Sequence, residues 1–157
     1  MKPKIYIETS VVSYLVSRPS KNVITAGHQV ITRDFWETLN DFEVYISDMV
    51  IQEASAGDAA QAKERISALQ GFPLLEIGDS VKHLAKALLD AKSVPEKCLE
   101  DAIHIAVAAV NGIDVIVTWN FKHINNPITR MKIRHVVENR GLVCPEICSP
   151  DEFMGEE

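Results

Sequence analysis

Apolar positions along the chain fall into two kinds of segment. Some are short runs rich in Val, Ile, Tyr and Leu; others are longer stretches where apolar residues recur at helical spacing. Lys4 to Ile7, Glu43 to Ser47, Leu74 to Ile77, Asp114 to Thr118 and Leu142 to Ile147 read as strands. Pro145 confines the last to a sheet edge, because proline cannot donate to a ladder. Helices read between them. Thr9 or Ser10 caps one that reaches Val16 and breaks at Arg18-Pro19-Ser20; Asn22 or Thr25 starts a longer one through Phe35, Trp36 and Leu39. Asp48 caps Met49 to Ala56, which Gly57 ends, and Asp58 caps a helix that turns Ala62, Ile66 and Leu69 inward. Asp79 or Ser80 opens a helix through Ala91, Ser93-Val94-Pro95 opens one through Val110, and Pro127 opens the last, through Asn139. Strands alternating with helices imply a mostly parallel sheet of four to five strands covered on both faces. The expected organisation is a single domain over residues 1–148 and a loose acidic tail over 149–157.

Polar residues intrude on this pattern at four places. Glu8 follows the first strand, Glu53 ends Val50-Ile51-Gln52, Asp101 precedes Ala102-Ile103-His104, and Asn120 follows Val115 to Trp119. Carboxylates seldom lie so close to a core unless something offsets their charge. A hard divalent cation bound through oxygen is one such partner. In a parallel sheet these groups converge on one edge, where ligands bind in open α/β folds. Singly, each has a plainer reading: Asp101 as a helix-start acid favoured by the macrodipole, Glu53 as an exposed helix residue, Asn120 as a turn former. His104 shares a helix face with Asp101 and reads as a packed histidine that pairs with Asp101 or with a backbone group.

A length of 157 residues suits one domain with a real core. The net charge of −6 argues against a general nucleic-acid binder. The charge is uneven, however: residues 121–140 carry Lys122, Arg130, Lys132, Arg134 and Arg140 against Glu138 alone, with His123 and His135 beside them, and Lys122 and His123 read as surface residues. Such a run is either a solvated helix face or a set of phosphate contacts at the rim of a metal-loaded acidic centre, made by Lys122, Arg130, Lys132 and Arg134. Cys98, Cys144 and Cys148 form no C-x-x-C pair and read as reduced, buried or edge-strand thiols of a cytoplasmic protein. A strand-like segment from Lys4 leaves no apolar stretch for a signal peptide, and Ala102 to Val110 is too short to span a bilayer, so no membrane partner is expected. Phosphate-loop, dinucleotide, serine-elbow and zinc-peptidase motifs are missing from the sequence.

Four segments together carry a family resemblance: Glu8-Thr9-Ser10, Val50-Ile51-Gln52-Glu53, Asp101-Ala102-Ile103-His104-Ile105-Ala106 and Thr118-Trp119-Asn120-Phe121-Lys122-His123. In order, spacing and placement the chain resembles the PIN domain, most closely the bacterial VapC-type toxins, from Ile5 to about Ile147. The resemblance implies a three-layer α/β/α sandwich and Mg²⁺- or Mn²⁺-dependent cleavage of RNA. It also implies a homodimer and a small inhibitory antitoxin as partner. On this basis Glu8 and Asp101 are expected metal ligands. Glu53 ligates a second metal or holds a metal-bound water, and Asn120 binds through its amide oxygen or orients a water. Ser10 and Thr118 are expected to fix carboxylate orientation through their hydroxyls. In two places the chain departs from the family's common residues, with Glu8 and Asn120 each standing where Asp is frequent. The extra methylene of Glu8 moves its carboxylate outward by about 1.5 Å.

Overall fold

The computed structural model describes residues 1–154. Five strands, β1 (Lys4–Ile7), β2 (Glu43–Ser47), β3 (Leu74–Leu75), β4 (Val115–Val117) and β5 (Glu146–Cys148), form one all-parallel sheet in the order β3-β2-β1-β4-β5. Seven helices flank it: α1 (Thr9–Val16), α2 (Val23–Trp36), α3 (Asp48–Ala54), α4 (Ala59–Leu69), α5 (Asp79–Asp90), α6 (Leu99–Val110) and α7 (Pro127–Asn139). The result is the three-layer α/β/α sandwich. Helix α1 packs on α2, α3 and α4, and α5 packs on α6 and α7.

Burial explains the sequence pattern. Ile5, Tyr6 and Ile7 of the central strand are all buried, as a strand covered on both faces requires. Helix α6 is buried from Ala102 through Ala109. It is apolar all round because it is a core helix, and His104 is the one ionisable group in that buried stretch.

Strand order reverses between β1 and β4, so a crevice opens there at the carboxyl ends of the strands. Ile7 pairs with Val117 in register, and the Glu8 N–H still donates to the Val117 carbonyl at 3.1 Å. Glu8 and Thr118 therefore leave the sheet side by side.

Several element limits differ from the sequence reading. Strand β3 stops at Leu75, because only Leu74 and Leu75 reach partners on β2, Ile46 and Ser47. Ser47, not Asp48, is the N-cap of α3. Helix α6 begins only at Leu99, since Pro95 to Cys98 closes a separate turn through Cys98 N–H and the Pro95 carbonyl, 2.8 Å apart. Strand β5 pairs from Glu146, which leaves Pro145 just outside the ladder. The segment expected to be loose from Ser149 instead forms a 3-10 turn, Pro150–Phe153, closed by a capping box between Ser149 and Glu152. Phe153 packs against Phe35 and Phe42 at ring distances of 5.2 and 5.3 Å. The remainder of that segment, residues 155–157, lies outside the described residues.

Candidate metal centre

Glu8 is itself the N-cap of α1, in place of the expected Thr9 or Ser10. Its backbone is extended (φ −77°, ψ 154°), and its Oε1 accepts the Ser10 N–H at 3.2 Å. The same oxygen accepts from Ser10 Oγ and from Thr118 Oγ1, the latter at 2.6 Å. Those hydroxyls are held in turn, since Trp119 N–H donates to Ser10 Oγ and Asn120 N–H to Thr118 Oγ1, both at 2.9 Å. Glu8 is only 5% exposed, yet its Oε2 receives no hydrogen bond among the described residues and lies 4.0 Å from His104 Nε2. Three donors and a helix N-terminus thus hold one oxygen and leave the other facing the crevice.

Glu53, on α3, repeats this arrangement. Its Oε1 accepts from Thr9 Oγ1 at 2.7 Å and meets His104 Nε2 at 2.5 Å, while Oε2 receives no donor among the described residues. His104 Nδ1 lies 2.6 Å from Tyr6 Oη, which is 2.8 Å from Ser47 Oγ. Burial works against a charged His104, but the Glu53 hydrogen bond and the charges of Glu8 and Glu53 hold its pKa above the ordinary value. Burial likewise works against a charged Glu53, and the His104 bond and charge, then Thr9, hold it below the ordinary value. Burial, most of all, pushes the Tyr6 hydroxyl well up. His104 and Glu53 form a hydrogen-bonded pair that is ionic when the imidazole is protonated, the state that the raised His104 pKa favours, with Tyr6 fixing the imidazole from behind.

Asp101 does not pair with His104, as the shared helix face suggested. Its Oδ1 accepts from Asn120 Nδ2 at 3.1 Å, and its Oδ2 lies 3.1 Å from His123 Nδ1. The Asn120 oxygen is committed to the His123 N–H, also at 3.1 Å. Asn120 therefore spans Asp101 and the turn after β4, and its amide can donate one way and accept the other where an ionised carboxylate could only accept. Burial, then the negative charge of Glu8, pushes the Asp101 carboxyl above its ordinary value.

The four residues singled out in the sequence thus divide between two neighbouring clusters. Ligand atoms of Glu8, Glu53 and His104 lie within 4.8 Å of one another, and so do those of Cys98, Asp101 and His123. The first set, with two half-held carboxylates, has the oxygen chemistry that Mg²⁺ or Mn²⁺ takes. Glu8 and Glu53, with Asp101 beside them, would hold such an ion, and His104 would orient Glu53 beneath it.

The basic residues also separate. Lys122 and Lys132 share a cleft of about 650 Å³ with Lys86 and Lys92. Arg130 instead donates to Asn125 Oδ1 at 2.6 Å, and Arg134 pairs with Glu138 and Glu146 at 3.3 and 3.5 Å; both line a different cleft beside Cys144. Sequence reasoning missed Tyr6 and Thr9, and it left His123 on the surface. The spacing of Cys98 and Asp101, three apart at the start of a helix, was a usable sign that they share a face.

A parallel sheet whose switch point gathers carboxylates from the turn after β1, from α3 and from α6 defines an acid-centred α/β/α fold. The sequence profile of the PIN domain matches residues 5–125, and the chain belongs to the PIN domain family, a nuclease fold. No curated protein matches the chain closely enough to count as a relative. No helix among the described residues is long and apolar enough to cross a membrane.

Proposed function

We propose that the protein is a Mg²⁺- or Mn²⁺-dependent endoribonuclease of the VapC type, acting in the cytoplasm as the toxin of a type II toxin–antitoxin pair. The observation that carries the nuclease reading is the pair of half-held carboxylates, Glu8 and Glu53, beside Asp101 at the switch point of a PIN domain. A divalent cation held there supplies an activated water and neutralises charge on the scissile phosphate. Ser10 and Thr118 fix the Glu8 carboxylate, His104 and Thr9 fix Glu53, and Asn120 orients Asp101. Lys122 and Lys132 are exposed and face a common cleft, where they offset phosphate charge along the RNA backbone. The toxin role, the homodimer and the small antitoxin rest on the family resemblance alone.

A second reading is a PIN domain that binds RNA or protein without cutting. It is favoured by the Asn120 oxygen, which caps the His123 N–H instead of facing the crevice. One experiment separates the two. Chelator-stripped protein and Asp101→Ala are titrated with Mg²⁺ and Mn²⁺ over a structured RNA. Metal-dependent cleavage that the variant loses supports the nuclease; binding without cleavage, unchanged by chelation, supports the module. Growth arrest on expression, relieved by a small protein encoded beside the gene, tests the toxin role.

A further inference from the structure

We propose that Cys98, Asp101 and His123 form a separate site for a thiophilic divalent cation, Zn²⁺ above all, which shares Asp101 with the oxygen-rich centre. Cys98 ends the turn that precedes α6, and Asp101 lies three residues on, in the first turn of the helix. His123 comes from the turn after β4, where Asn120 pins its backbone N–H. Its Nδ1 is the meeting point, 3.5 Å from Cys98 Sγ and 3.1 Å from Asp101 Oδ2. In a tetrahedral zinc site, bonds of about 2.3 Å to sulfur and about 2.0 Å to nitrogen or oxygen put ligand atoms about 3.3–3.6 Å apart. The two separations from His123 Nδ1 are thus close to those values and the third lies within 4.8 Å; Cys98 Sγ is also 4.0 Å from His123 Nε2, so the ring must turn to aim Nδ1 at a shared ion.

The donors decide the metal. Thiolate and imidazole select zinc over magnesium, which takes oxygen and water. All three side chains are partly exposed, so an ion reaches them from solvent. On binding, the Cys98 thiol gives its proton to water and the sulfur takes the metal, while His123 binds as the neutral ring. Three protein ligands leave a fourth position to water.

Asp101 cannot serve both sites equally. Zinc would hold its Oδ2 toward His123 and Cys98 and away from the Glu8–Glu53 side. The expected consequence, which rests on the nuclease reading above, is inhibition of Mg²⁺-dependent cleavage by Zn²⁺. The zinc site itself does not depend on that reading.

The test is Co²⁺ titration of the reduced, metal-free full chain, followed by absorption. The expected result is a thiolate-to-cobalt charge-transfer band that saturates at one equivalent and is abolished by Zn²⁺. Cys98→Ser should lose the band, and Cys144→Ser and Cys148→Ser should keep it. His123→Ala should weaken Zn²⁺ binding, read by competition with a chromophoric chelator, by more than the roughly 10–100-fold that loss of an outer partner costs. Circular dichroism confirms that each variant is folded. Absence of the band in the unsubstituted protein, or its survival in Cys98→Ser, overturns the site whether or not the protein cleaves RNA. Where cleavage is present, tight Zn²⁺ binding without inhibition relative to each protein's own Mg²⁺ rate overturns the sharing of Asp101.

Discussion

His104 Nε2 lies 2.5 Å from Glu53 Oε1, and this pair ties the core helix α6 to α3 directly beneath the candidate metal centre. His104 is wholly buried, so its protonated form is sustained only where Glu53 and Glu8 offset the loss of water, and these two hold its pKa above the ordinary value. The pair acts as the floor of the crevice: it sets the position of the Glu53 carboxylate and uses one of its oxygens.

The stability this pair confers on the metal-free protein has a defined pH window. His104 is raised in the fold, so its share is complete below the unfolded value of about 6.5 and is lost as pH rises through the folded value. Glu53 is lowered, so its share is complete above its unfolded value of about 4.3 and is lost as pH falls through the folded value. Glu53→Gln should therefore cost most between those limits, about 2–3 kcal/mol, because Glu53 keeps 31% of its side chain exposed and water screens the pair. Urea unfolding of both proteins in chelator across this range checks it. A difference that does not vary with pH would mean that His104 is neutral in the fold.

Asn120→Asp probes why an amide stands beside Asp101. The variant loses the donation to Asp101 Oδ1 and sets a second carboxylate against it, where burial and Glu8 already raise the Asp101 pKa. The expected cost without metal is about 1–2 kcal/mol. Excess Mg²⁺ should narrow it, by about 1.4 kcal/mol for each tenfold by which the added carboxylate tightens Mg²⁺ binding over the unsubstituted protein. Thermal melts with and without Mg²⁺ decide. An equal deficit in both would show that residue 120 does not sense the ion.

Much of this was legible in the sequence, and the failures share a cause. Strands and helix order follow from local periodicity, and the parallel sheet follows from their alternation, so these could be read residue by residue. The partners of the site residues could not. Spacing on α6 places His104 and Asp101 on one face but does not say that α3 brings Glu53 to His104, or that the turn after β4 folds His123 onto Asp101. Thr9 looked like a cap because capping preferences are local; its hydroxyl instead crosses to Glu53, a partner 44 residues away. The Ser149–Phe153 turn was partly legible, since its capping box Ser149-Pro150-Asp151-Glu152 is a local signature, while its anchor, an aromatic contact with Phe35, is not.

Phe153→Ala should lower stability by about 1–3 kcal/mol, at or below the range for buried aromatics because the ring is only partly buried. A shift in urea midpoint at unchanged slope would measure it. No shift would mean that this end of the chain contributes nothing to the fold.

The two basic clefts predict different salt responses. Lys122→Ala and Lys132→Ala should each reduce the slope of log affinity against log salt for single-stranded RNA by about 0.7. Arg134→Ala should leave the slope unchanged, because Glu138 and Glu146 already neutralise that guanidinium. Fluorescence anisotropy in chelator, where no cleavage competes, reads both. Equal effects from all three would restore the single basic patch that the sequence suggested.

Thr118→Val separates the support of the site from the site itself. Valine has nearly the shape of threonine, so the buried packing at the end of β4 is kept and only the hydroxyl is lost. That hydroxyl does two jobs, donating to Glu8 Oε1 at 2.6 Å and accepting the Asn120 N–H at 2.9 Å. Glu8 would still be held by Ser10, through both N–H and hydroxyl, so the N-cap of α1 survives. The Asn120 N–H would lose its acceptor, a cost of about 1 kcal/mol, at the low end of the range for a buried group because Asn120 is only partly buried. The larger effect should fall on metal: with one donor gone, the Glu8 carboxylate can rotate, and loss of such a partner typically costs about 10–100-fold in affinity. Mg²⁺ affinity by calorimetry should drop in that range while the far-ultraviolet spectrum stays unchanged. Full Mg²⁺ affinity in Thr118→Val would mean that Ser10 alone fixes Glu8; a changed spectrum would mean that the bond across β1 and β4 belongs to the fold before it belongs to the site.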